Sequence, residues 1–231
     1  MKHIGWLLCA AILIAGCERT DATIRVAMPP LPPYFHEQRQ AGLHFDRIQT
    51  LLRLQGRDIQ PVFVPFSQLS DALNLGTVDV AALVPPDATD IPAVSETRLT
   101  YQNVILTREN GPAPNNVESL KALRVIAFQG ASQLLGEAFE SMAAANPHYR
   151  ELREQSEQAM LLVLGRVDAV IGDERILRYY ADEAARRMGV APQLVATHAF
   201  EPVRYRVGFR DPDLAAAFDR AAYHLDQAPS P

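Results

Sequence analysis

Cysteine is nearly missing from this 231-residue chain: it occurs only at positions 9 and 17. Residues 18–231 can therefore form neither an intramolecular disulfide nor a thiolate metal site, and their stability has to come from packing. Long apolar runs are scarce too. Only Ile4 to Cys17 resembles one, and it falls short of the roughly 20 residues that a membrane-spanning helix needs. Basic tracts are absent. The 22 Lys and Arg are interspersed with 27 Asp and Glu, for a formal net charge of -5, so nothing follows a phosphate backbone and nucleic acid is not an expected partner. His3, His36, His44, His148, His198 and His224 show no compact ligand spacing, and neither a metal site nor a cofactor is expected. No nucleophile-elbow motif is present. Asp173 and Glu174 are adjacent acids, but adjacency alone does not place a proton within reach of a substrate. A non-enzymatic role is expected.

What is present begins with a leader. Met1-Lys2-His3 precedes an uninterrupted apolar run that ends in small residues, the layout of a secretory signal. The ending Ile14-Ala15-Gly16-Cys17 resembles a bacterial lipobox, which implies acylation of Cys17 after removal of residues 1–16. Residues 17–22 would then be a lipidated tether, holding the protein to a membrane in the periplasm-facing cell envelope. Glu18 beside that cysteine tilts the expectation toward the outer rather than the inner membrane.

With 48% hydrophobic and 21% charged residues, the remainder has the composition of a folded chain. Ile24 to Met28 alternates as a strand and stops at Pro29-Pro30-Leu31-Pro32-Pro33, which continues neither helix nor central strand. Residues 42–56 place Phe45, Ile48, Leu51 and Leu52 on one helical face before Gly56. A strand over 60–66, a helix through Leu69, Leu73 and Leu75 with Ser67 as its cap, and an apolar strand over 78–84 follow. The second half repeats the pattern. It reads as a strand over 124–128, a turn at Gln129-Gly130-Ala131-Ser132, a helix over 133–145, a short helix over 158–164, and a strand over 167–172. Asp173 then opens another helix. A strand over 204–210 and a helix led by Asp213 complete the chain. Leu75-Gly76-Thr77-Val78-Asp79-Val80-Ala81 and Leu164-Gly165-Arg166-Val167-Asp168-Ala169-Val170 are one phrase written twice, which favours paired α/β lobes over one long sheet.

Taken together, Ile24-Arg25-Val26-Ala27 with Pro33-Tyr34-Phe35, Gly42 to Asp46, the two repeated phrases, Gly172-Asp173 and Val207 to Leu214 resemble the bacterial extracellular solute-binding proteins of family 3, the polar-amino-acid receptors. The resemblance implies an α/β, two-lobed periplasmic binding protein fold of type II, each lobe an open mixed sheet flanked by helices. Lobe 1 would take residues 23–106 and 200–231, lobe 2 residues 111–195, with hinge segments near 107–110 and 196–199. It further implies a small-molecule ligand in the cleft, contacted by Tyr34 and Phe35 as an aromatic platform and by Leu83 at the end of the third strand. Gly130, Ala131 and Ser132 would grip an anionic group with free N–H groups, and Asp173 would receive an amino group. The residues themselves also allow plainer readings, with Ser132 and Asp173 as helix caps and the aromatics as packing groups. An ABC-type permease or a membrane signalling protein is the expected partner.

The chain departs from that family in the loop after the third strand, where receptors of amino acids carry Thr or Ser followed by Arg. Here the loop reads Val84-Pro85-Pro86-Asp87-Ala88-Thr89-Asp90-Ile91-Pro92, and Arg98 does not match by position. Without a bidentate guanidinium, a carboxylate loses its specific partner. The resemblance therefore implies an atypical ligand, a sensor or adaptor role, or, as in a few relatives of such receptors, a dehydratase-like activity.

Overall fold

A computed structural model describes residues 23–85 and 87–227; the leader, Cys17 and the tether lie outside the described residues. Two five-stranded mixed sheets carry the fold. The first contains β1 (Ile24–Met28), β2 (Ile59–Phe63), β3 (Val80–Val84), β4 (Ala93–Tyr101) and β10 (Val203–Phe209), in the order β2-β1-β3-β10-β4. The second contains β5 (Asn103–Arg108), β6 (Val125–Phe128), β7 (Tyr149–Leu152), β8 (Ala169–Asp173) and β9 (Leu194–Thr197), in the order β7-β6-β8-β5-β9. In each sheet three parallel strands meet an antiparallel pair. Helices α1 (Leu43–Arg53), α2 (Leu69–Asn74) and α7 (Pro212–Gln227) belong to the first lobe. Helices α3 (Ala131–Leu134), α4 (Glu137–Ala145), α5 (Gln155–Val163) and α6 (Glu174–Met188) belong to the second.

The repeated phrase has a structural meaning. In lobe 1, Arg25 donates from its backbone and guanidinium to Asp79, at 2.9 to 3.1 Å, and from Nη2 to the Gly76 carbonyl at 3.2 Å. Arg124 does the same to Asp168 and to the Gly165 carbonyl in lobe 2, at 2.7 to 3.4 Å. Each clasp ties a strand beside the central strand, β1 in lobe 1 and the start of β6 in lobe 2, to the entry of that central strand. Gly76 and Gly165 both turn with positive φ, and in each case an arginine side chain, Arg210 or Arg108, lies against the glycine.

Several local expectations change. The helix expected over 133–145 is broken into α3 and α4, because Gly136 lies between them at φ 88°. Ser67 makes no cap; it lies in a 3-10 turn, Phe66–Gln68, that leads into α2. The largest change concerns the hinges. Residues 107–110 do not cross between lobes: Asn103–Arg108 is β5, paired with both β8 and β9 inside the second sheet. The chain crosses at Gln102, between Tyr101 and Asn103, and returns between Thr197 and Val203.

Candidate functional site

The N-terminus of α6 lies where the two crossings meet. Asp173 ends β8 and caps α6, accepting from the backbone N–H of Arg175 at 3.0 Å and of Ile176 at 3.1 Å. Its other oxygen accepts from the backbone N–H of Gln102 at 2.9 Å. From the opposite lobe, the Tyr34 hydroxyl donates to the same carboxylate, 3.0 and 3.1 Å from its two oxygens. The side chain is only 5% exposed, and burial raises its pKa, an effect that the four donors partly offset.

Tyr34 is held from behind. Its ring stacks on His44 at 4.4 Å and 15° and meets Tyr101 at 4.4 Å. The row continues outward through Tyr205, 5.3 Å from Tyr101, to Phe66, 5.4 Å from Tyr205 and 43% exposed. Gly42 makes this arrangement possible: it has φ 140°, and a Cβ there would come within 2.4 Å of the Tyr34 carbonyl oxygen. Burial, with the positive charges of Arg175 and Arg47, pushes the His44 imidazole down to about 4. Burial and the facing Asp173 carboxylate push the Tyr34 hydroxyl up.

A second polar cluster surrounds the turn after β6. Gly130 N–H donates to Glu151 at 2.7 Å, and Ser132 donates to it from its N–H at 2.9 Å and its hydroxyl at 2.8 Å. Tyr149 Oη adds a bond at 2.8 Å. Burial alone would raise the Glu151 pKa, but the amides of Ser132 and Gly130 and the two hydroxyls hold it below the usual range.

The residues singled out in the sequence are thus distributed unevenly. Tyr34 and Asp173 come into direct contact across the lobes. Phe35 and Leu83 lie inside the lobe 1 core, Ala131 inside that of lobe 2, and Gly130 and Ser132 face Glu151. Glu151 escapes the sequence reading, while His44 enters it only within the Gly42 to Asp46 phrase, and Tyr101 and Gln102 only within a segment, 96–104, expected to support the cleft or the hinge. For Glu151 a signal was available: Tyr149 and Glu151 stand two apart on one strand and so share a face. Among the described residues, two open surface concavities lie away from these groups. One, of about 800 Å³, lies between the C-terminal half of α6 and Val190 to Leu194; the other, of about 250 Å³, lies beside Thr107, Pro114 and Val195. Neither is lined by Tyr34 or Asp173.

No protein-family model matches this sequence, and no curated protein matches it either. Likeness to solved structures is extensive. The arginine-bound form of truncated ArgBP from T. maritima superposes with a TM-score of 0.66 at 18% identity, over 88% of this chain and 96% of that one. An ancestral amino acid-binding protein, a precursor of cyclohexadienyl dehydratase, gives 0.66 at 20% identity, over 89% and 90%. A histidine kinase sensor domain similar to periplasmic binding proteins gives 0.68 at 19% identity, over 90% and 92%. The chain has the two-lobed α/β fold of type II periplasmic binding proteins.

Proposed function

We propose that this chain is a lipid-tethered, extracytoplasmic two-lobed binding protein whose small solute is not an ordinary α-amino acid. One observation carries the reading: both polar stations at which such a ligand would be expected are occupied by the chain itself. The Tyr34 hydroxyl sits on Asp173, where an ammonium would bind, and the Glu151 carboxylate sits on Gly130 and Ser132, where a carboxylate would bind. The missing Arg in the loop after β3 points the same way. A neutral or cationic solute is better matched to what is left, the aromatic row ending at Phe66 and Tyr205. Its natural outlet is an ABC-type permease, with the protein exported by residues 1–16 and held by acylated Cys17, by preference in the outer membrane.

A second reading, a sensor or adaptor for a membrane signalling protein, is favoured by the Tyr34–Asp173 bond, which joins the lobes through the chain's own side chains. Calorimetry against amino acids, polyamines, organic acids and small sugars tests the first reading. Saturable binding of a solute other than an α-amino acid, weakened by Phe66→Ala, is the expected result. Tight binding of an α-amino acid would reject it, and turnover of a ligand that disappears in Asp173→Ala would make the protein an enzyme. Retention of Cys17→Ser in washed membranes to the same extent as wild type would remove the lipid anchor.

A further inference from the structure

We infer that Tyr34 and Asp173 form an internal latch that closes the two lobes on each other, so that a ligand or partner would drive opening and not closure. The inference deepens the two-lobed binding reading and rests on it only for the latch's use; the latch itself rests on geometry. Tyr34 belongs to the loop after β1 in lobe 1, and Asp173 to the end of β8 in lobe 2. Their bond crosses between the lobes and is buried. The Asp173 carboxylate also accepts from Gln102, the residue at which the chain first crosses. Gln102 in turn donates its side-chain amide to the Phe200 carbonyl at 2.8 Å, on the returning crossing, and the Glu174 N–H donates to the Gln102 carbonyl at 2.9 Å. One carboxylate therefore links the opposite lobe, the start of α6 and the hinge. A rotation of the lobes about Gln102 cannot leave all these bonds intact.

Packing closes the same joint. Ile176, in the first turn of α6, is 2% exposed and belongs to the lobe 1 core. His36 of lobe 1 meets Tyr179 of α6 with ring centroids 5.2 Å apart. The closed state also carries a cost that keeps it reversible. His44 Nε2 and Tyr101 Oη, both on rings packed against Tyr34, are buried and find no hydrogen-bond partner among the described residues. Admission of water on opening would satisfy them, which sets a lost latch against two regained polar partners.

The test measures the distance between the lobes with no ligand added. Leu75 and Leu164, exposed and equivalent in the two repeated phrases, accept spin labels as Leu75→Cys and Leu164→Cys in the full chain carrying Cys9→Ser and Cys17→Ser, in detergent. Pulsed dipolar spectroscopy should give one narrow distance. Tyr34→Phe, which removes the hydroxyl and keeps the ring, should add a longer second population. Asp173→Ser should do likewise, since its hydroxyl can still cap α6 but is too short to reach the Tyr34 hydroxyl; it carries the test should Tyr34→Phe not fold. A broad distribution in the unmodified pair, or variant distributions that superimpose on it, would overturn the latch. No ligand enters this measurement, so its failure leaves the calorimetric screen standing, and an empty screen leaves the latch standing.

Discussion

His44 shows how a single side chain can set the working range of the joint. It is buried beside Tyr34 with one ring nitrogen unpartnered, and its pKa falls to about 4 from an unfolded value near 6.5. A base depressed in this way is neutral in the fold, so its contribution to stability is complete above pH 6.5 and is lost as pH falls from 6.5 toward 4. The difference corresponds to about 3 kcal/mol by linkage. Thermal unfolding should therefore drop between pH 7 and pH 4.5, and His44→Gln should flatten that dependence. Gly42 lies against the backbone that carries Tyr34. Its φ of 140° and the contact that a Cβ would make with the Tyr34 carbonyl mean that Gly42→Ala must move the backbone bearing Tyr34. A loss of about 1 kcal/mol or more is expected in denaturant unfolding, together with a broadened inter-lobe distance.

At the scale of elements, the Arg–Asp–Gly clasp explains why one phrase is written twice. The Asp must accept a backbone N–H from the start of the neighbouring parallel strand, and the Arg must span from that Asp to a glycine carbonyl at the preceding turn. The side-chain bond from Arg25, aided by its charge, holds Asp79 below the usual carboxylate range, and Arg124 does the same for Asp168. Solvent screens both pairs, so Asp168→Ala should cost only about 1 kcal/mol, or roughly 2–4 °C in a chain of this size, read by calorimetry. Depressed carboxylates contribute above their unfolded pKa, so the gap between variant and wild type should shrink as pH falls below about 4. The repeated phrase, the apolar strands and the helix faces are legible because periodicity and glycine turns are local properties, whereas the arginine that completes each clasp lies 54 or 44 residues from its Asp. β4, β5, β7 and β9 were harder to read. Glu96 to Tyr101 carries polar residues on an edge strand, and Tyr149–Leu152 is four residues long, so neither gives a clean period.

The arrangement of the whole molecule depends on contacts that sequence spacing does not encode. The family resemblance places a crossing near residues 107–110, yet pairing with β8 and β9 absorbs β5 into lobe 2 and moves the hinge to Gln102. The candidate site was legible as a set of residue types and not as a set of partners. Asp173 and Tyr34 stand 139 positions apart, and nothing in either segment announces that they meet. Ile176 extends the point to cooperativity. It sits on a helix of lobe 2, yet its side chain completes the core of lobe 1. If that core couples the lobes, Ile176→Ala should cost about 2–5 kcal/mol, as large-to-small changes at fully buried sites do. The loss should fall first on lobe 1, whose core Ile176 completes, and uncouple it from lobe 2. Tyrosine fluorescence, weighted toward the ring row of lobe 1, and far-UV circular dichroism should trace coincident denaturant transitions in the wild type. In Ile176→Ala the fluorescence midpoint should move to lower denaturant and separate from the dichroism midpoint. Coincident curves in the variant, shifted by the same amount, would instead mean that the lobes remain one cooperative unit through the Tyr34–Asp173 bond and the hinge alone.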